Sequence, residues 1–198
     1  MIDKRTAAKM AKEAYFPDNK DIDGWKVVDS SKTVKLYQKG DERVYAFRGT
    51  ANFEDVKAWV PSGTNRLTNT KRYKRDLEFV NKHRNDKGFK TFGTGHSLGG
   101  AIVDEFQNQK VFDKSITFNP AVEPKYLHNK GNERHYNRKD PLYNLHGKYA
   151  SNIRIDEKPR GFFEKIDAFL IPKLPSLSAH DISPFANPHQ HHMDRLVA

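Results

Sequence analysis

The sequence contains no cysteine, which removes a disulfide framework, thiol catalysis and thiolate metal sites. No apolar run approaches the about 18 residues that a membrane-spanning helix needs. The opening residues, Met1-Ile2-Asp3-Lys4-Arg5, lead into a polar helical pattern without the apolar centre of a signal peptide. Together these absences lead to the expectation of a soluble protein of the cytoplasm or another intracellular compartment. Repeats, low-complexity tracts and Gly/Ser linkers are also missing. A length of 198 residues then suits one domain over 1–198, with a polar, histidine-containing tail from about 186. Apolar residues are scarce, at 36% with a mean hydropathy of −0.88. They must be gathered into a few short runs.

Positive charge is plentiful. Lys and Arg number 35 against 25 Asp and Glu, a formal net charge of +10. Such a surface attracts anionic partners through its long-range potential. The basic residues are scattered, however, and the one local crowd, Lys71-Arg72-Tyr73-Lys74-Arg75, reads as a helix face. The expectation is peripheral contact with anionic membrane and no specific nucleic acid.

Hydrophobic periodicity places a helix over Thr6–Tyr15 and a hairpin that joins Val34 and Leu36 to Val44–Phe47. A short helix from Asn52 to Trp59 and a longer one over Thr70–Arg84 follow. Gly88–Gly93 reads as a strand, Leu98–Gln109 as a helix, and Ser115–Phe118 as a strand stopped by Asn119-Pro120. Glu133–Asn137 and Asn152–Ile155 are shorter strand candidates. Strands alternating with helices imply an α/β fold with a central, mostly parallel sheet flanked by helices. Gly161–Leu177 is rich in Phe, Ile and Leu and reads either as a capping helix or as an apolar rim beside a site that works on lipid.

Between the Gly88–Gly93 strand and the Leu98–Gln109 helix lies Gly95-His96-Ser97-Leu98-Gly99. Gly-x-Ser-x-Gly at a strand-to-helix turn is the nucleophile elbow of the α/β-hydrolase fold. A serine hydroxyl is a weak nucleophile that needs a base for its proton and donors for the oxyanion it creates. The order of parts on this fold is serine, then an acid, then histidine. Asp104 and Glu105 fall on the helix after Ser97, and Asp113 at the wrong end of a strand. Asp140 follows a strand, and Asp156 is its rival. Of nine histidines, His83 sits on a helix and His96 within the motif, while His128, His135 and His146 precede or crowd Asp140. That leaves four late candidates, His180, His189, His191 and His192. The last three also lack an acidic or cysteine partner for a metal site, and no nucleotide, flavin or metal motif appears. No cofactor is expected.

Two motifs, Ala46-Phe47-Arg48-Gly49-Thr50 and Gly95-His96-Ser97-Leu98-Gly99-Gly100-Ala101, together resemble the class 3 lipases, a family of fungal triacylglycerol lipases and plant phospholipase A1-like enzymes. Ile116-Thr117-Phe118-Asn119-Pro120-Ala121 is similar to the strand that follows the nucleophile helix in that family. The resemblance implies Ser97 as nucleophile, Asp140 of Asp140-Pro141 as the acid, and His180 as the base. It also implies an oxyanion hole from Thr50 and the backbone N–H of Leu98. The implied activity is hydrolysis of lipid carboxylic esters through an acyl-enzyme. The stretch from Thr50 to Ser97 is shorter than in the fungal enzymes, which carry a lid there, and their disulfides are absent. Both departures argue against interfacial activation and extracellular action, and the compact size and basic surface favour an esterase or phospholipase acting on anionic lipid over a neutral-fat lipase. Two rival functions are a hydrolase-fold module that binds without catalysis and a structural component that uses the basic surface.

Overall fold

The computed structural model describes residues 2–50, 66–84, 88–121, 128, 131–145, 147–155 and 182–186. Its first helix, α1 (Lys4–Glu13), starts two residues earlier than the apolar stripe suggests, because the Asp3 carboxylate accepts the Thr6 N–H at 3.0 Å and caps it. Three strands follow: β1 (Lys26–Ser30), β2 (Val34–Lys39) and β3 (Glu42–Phe47). Helices α2 (Arg66–Asn69) and α3 (Lys71–Arg84) lead to β4 (Lys90–His96), α4 (Leu98–Asn108) and β5 (Lys114–Phe118). Next come β6 (Asn132–Tyr136), α5 (Pro141–Leu145), a 3-10 turn (Gly147–Tyr149), β7 (Ile153–Ile155) and a short α6 (Ser183–Ala186). The expected helix over Asn52–Trp59 and the apolar segment Gly161–Leu177 lie outside the described residues.

All seven strands form one sheet in the order β1-β2-β3-β4-β5-β6-β7. The β1-β2-β3 pairs are antiparallel, and every pair from β3 to β7 is parallel. This is the α/β architecture expected from the sequence, an α/β-hydrolase type of sheet with an antiparallel edge. A sheet built in sequential order by right-handed crossovers carries its connecting helices on one face. Accordingly α2, α3, α4 and α5 cover the face that bears Val34, Leu36, Tyr45 and Phe47. The alternate residues Tyr37, Val44 and Ala46 point to the other face and pack with Phe92, Ile116 and Phe118 against α1 and α6.

Strand β1 carries no clear signal in the sequence. It is an edge strand, half-exposed along its length, and its register shifts between Val27 and Asp29, which breaks the two-residue alternation. Charge also penetrates the core. Asp104 of α4 and Arg134 of β6 are both fully buried, with Arg134 Nε 2.9 Å from the carboxylate. Burial pushes the Asp104 carboxyl up to about 6 against the opposing pull of Arg134.

Candidate active site

Parallel strands bring their carboxyl ends to one edge of the sheet, and four of the expected site residues, Thr50, Ser97, Leu98 and Asp140, stand there. In register Phe47 lies beside Gly95, and His96 lies beside Phe118. Gly49-Thr50, Ser97, Asn119-Pro120 and Asp140 therefore leave consecutive strands at the same edge. Asp140 comes from the second strand over from that of Ser97, about 10 Å away at ordinary strand spacing.

Ser97 is the junction between β4 and α4. Its backbone has φ 55° and ψ −123°, a conformation that costs a side-chain-bearing residue about 1–3 kcal/mol. The surroundings fix it there. The Ser97 N–H donates to the Phe118 carbonyl at 3.1 Å, and the Ser97 carbonyl accepts the Ala121 N–H at 3.1 Å and the Ala101 N–H at 3.1 Å. The turn is also too tight for side chains on either side. A Cβ at Gly95 would lie 2.6 Å from the Gly99 carbonyl carbon, and one at Gly99 would strike the Phe47 carbonyl oxygen. These contacts are the physical reason for the two glycines of the motif. Gly100 meets Pro120 in the same way, as close packing of helix on sheet requires.

Leu98 is the first residue of α4, so its N–H has no acceptor within the helix. Together with the helix dipole, that makes this end of α4 favourable for negative charge. Opposite it, Gly49 comes so near the elbow that a Cβ there would sit 3.2 Å from Ser97 Cβ and 2.9 Å from the His96 carbonyl oxygen. The loop carrying Thr50 is thus laid directly against Ser97. Tyr15 also stands here, its hydroxyl sharing a 2.8 Å hydrogen bond with Nδ1 of the buried His96. His96 supports the turn, as its place inside the motif suggests. Nothing local in the sequence marks Tyr15, which stands two residues after the end of α1, on the face of the sheet that α1 covers.

Asp140 is fully buried and follows β6 as expected. Its Oδ1 accepts the Leu142 N–H at 2.7 Å, and its carbonyl accepts the Asn144 N–H at 3.2 Å, so it also starts α5. The Asn119 side chain braces this loop by accepting the Asn137 N–H at 2.9 Å. The acids set aside in the sequence are engaged elsewhere. Asp104 pairs with Arg134, and Asp113 accepts the Thr91 N–H at 2.7 Å near the start of β4, the opposite edge. His83 pairs with Asp29, and His135 pairs with Glu133 while stacking on Phe118.

His180, Asp156, His146, His189, His191 and His192 lie outside the described residues. The chain is described again at Ile182, two positions after His180. Ile182 and Phe185 are buried, and the Phe185 ring packs 5.2 Å from that of Phe118, at the carboxyl end of β5.

No protein-family model matches the chain, and no curated protein matches it in sequence. Similar solved structures include a mutant form of MDLA from Penicillium cyclopium, with 19% identity, a TM-score of 0.38, and coverage of 72% of this chain and 70% of the other. A mono- and diacylglycerol lipase from Aspergillus oryzae shows 18% identity, a TM-score of 0.43 and the same coverages, 72% and 70%.

Proposed function

We propose that this chain is a serine carboxylic-ester hydrolase of the lipase or phospholipase kind, acting on lipid esters through an acyl-enzyme. The observation that carries the reading is the backbone of Ser97. Five described non-glycine residues have a positive φ, and of these Ser97 is the one that stands between a parallel strand and a helix, where the strain holds a hydroxyl at the carboxyl edge of the sheet.

In this reading Ser97 Oγ attacks the ester carbonyl carbon while His180 takes its proton. The tetrahedral oxyanion is received by the Leu98 N–H at the start of α4 and by Thr50 on the loop beside the elbow. His180 then gives the proton to the leaving alcohol, and water repeats the sequence on the acyl-enzyme. Asp140 holds the imidazole in its working tautomer and balances the imidazolium. Its burial and its place at the shared strand edge support that role. His180 is supported by its position five residues before Phe185, whose ring packs on Phe118, the residue whose carbonyl accepts the Ser97 N–H.

The net charge of +10 supports lipids with anionic head groups presented at a membrane surface. Metal and cofactor have no step to perform in this scheme.

A fluorophosphonate probe tests the reading directly, because an activated serine displaces its fluoride and forms a phosphonyl ester. We expect labelling of wild type at Ser97 and none of Ser97→Ala. Turnover of at least one member of a panel of p-nitrophenyl esters and phospholipids should accompany it. Absence of both labelling and turnover would sink the proposal.

A further inference from the structure

The loop that carries Thr50 is gripped from outside the candidate triad. Arg72, in the first turn of α3, directs Nη2 to the carbonyl of Arg48 and Nη1 to that of Gly49, the latter at 3.5 Å. Its Nε donates to Asp76 Oδ2 at 3.1 Å, one helical turn on. Asp76 is fully buried, and its Oδ1 accepts the Thr33 hydroxyl at 2.6 Å. Thr33 in turn accepts the Arg48 N–H through its carbonyl at 2.9 Å. Three consecutive peptide groups are thus tied to one buried carboxylate, Arg48–Gly49 and Gly49–Thr50 through Arg72 and Phe47–Arg48 through Thr33.

The geometry of the peptide bond gives this grip a consequence. The C=O and N–H of a trans peptide point in opposite directions across a rigid plane. A guanidinium that holds the carbonyls of Arg48 and Gly49 on one side turns the N–H groups of Gly49 and Thr50 to the other. Successive N–H groups facing one way form a concave receptor for an anion. Rotation of the Gly49–Thr50 peptide would replace a donor with a carbonyl oxygen. With no Cβ, Gly49 is the residue beside which such a rotation meets least resistance.

We propose that Arg72, held by Asp76, is a positioning residue that fixes the Gly49–Thr50 peptide so that its N–H faces the oxyanion. This rests on the ester-hydrolase reading of Ser97. Arginine is required rather than lysine, because only the planar fork engages two carbonyls and the carboxylate together. Of the rest of the Lys71–Arg75 crowd, Lys71 and Lys74 are exposed, and Arg75, also exposed, reaches the Thr33 hydroxyl at 3.4 Å and Asp76 Oδ1 at 3.9 Å from the surface. Arg72 differs in being turned inward.

The test begins with wild type, whose ester turnover and labelling at Ser97 must be present. Arg72→Ala would leave the buried Asp76 carboxylate with only the more distant Arg75 Nε, at 3.9 Å, as its cation, so the variant of choice is Arg72→Ala with Asp76→Asn, which keeps an acceptor for Thr33. Arg72→Lys is the second variant and keeps the charge while losing the fork. In variants that melt cooperatively, kcat on a soluble p-nitrophenyl ester should fall about 10- to 100-fold, as misplacement of one oxyanion donor would do. KM should stay within about twofold. Affinity for an arylboronic acid, which mimics the tetrahedral state, should fall by the same factor as kcat. Added guanidinium should recover part of the rate in Arg72→Ala with Asp76→Asn and none in Arg72→Lys. A folded variant with kcat and boronate affinity unchanged overturns the proposal and leaves the esterase reading standing. A wild type that neither turns over nor labels removes both.

Discussion

At Ser97 the positive φ is a stability cost retained in the native state, and it can be measured separately from any chemistry. Ser97→Ala keeps the Cβ and therefore the strain. Ser97→Gly removes the Cβ and relieves it, less the extra chain entropy that glycine loses on folding. With relief of about 1 kcal/mol net, Ser97→Gly should melt about 2–4 °C above Ser97→Ala in a chain of this size. Equal melting temperatures by calorimetry would show that the elbow is unstrained. The role of Ser97 as a candidate nucleophile was legible from five residues, because the glycines have a local cause in the tightness of the turn. Arg72 was not legible. In the sequence it is one of four basic residues in a run of five, and nothing local separates the one turned inward from its exposed neighbours.

At the scale of elements, the weakest-looking part of the sheet has its own tie. Asp29 of the edge strand β1 receives Lys82 Nζ at 2.8 Å and His83 Nε2 at 2.7 Å, both from the last turn of α3. Hydrogen bonding to Lys82, reinforced by His83 and the Ser30 N–H, holds the Asp29 carboxyl down at about 2 against its partial burial. A carboxyl with a lowered folded pKa stabilises the fold above its unfolded value near 3.8, and that contribution disappears as pH falls toward 2. Wild type should therefore lose stability across about pH 4 to 2 more steeply than Asp29→Asn. Melting temperatures of the two proteins at several acidic pH values read this directly, and parallel curves would exclude the tie as a source of stability. The sequence did not announce β1, because a half-exposed edge strand with a register shift has no clean alternation. Strands β3, β4 and β5 were legible because they are buried and bounded by glycine, proline or charged turns.

Across the whole molecule, the charge of +10 is the property most open to the surroundings. Attraction of exposed lysines and arginines to an anionic bilayer acts over about 8–10 Å at moderate ionic strength and is screened as salt rises. Co-sedimentation should therefore retain the protein on phosphatidylserine vesicles at low salt and release it progressively between about 50 and 500 mM. Phosphatidylcholine vesicles should retain little. Equal retention on both, insensitive to salt, would assign binding to apolar contact instead of charge. Among the described residues, no helix is long and apolar enough to cross a membrane.

The sequence by itself determined the class of fold and the elbow, because both arise from short-range causes. The alternation of strand and helix patterns implies a parallel sheet, and a Gly-x-Ser-x-Gly turn between them has few conformations open to it. Tertiary structure decided what stands around the elbow. Parallel pairing carries Thr50 and Asp140 to the edge that holds Ser97, although 47 and 43 positions of chain separate them from it. Packing of α1 on the sheet brings Tyr15 to His96, and α3 brings Arg72 to the Arg48–Gly49 carbonyls. These partners meet through strand order and burial, forces that act between segments far apart in the chain, so no local pattern around Ser97 records them.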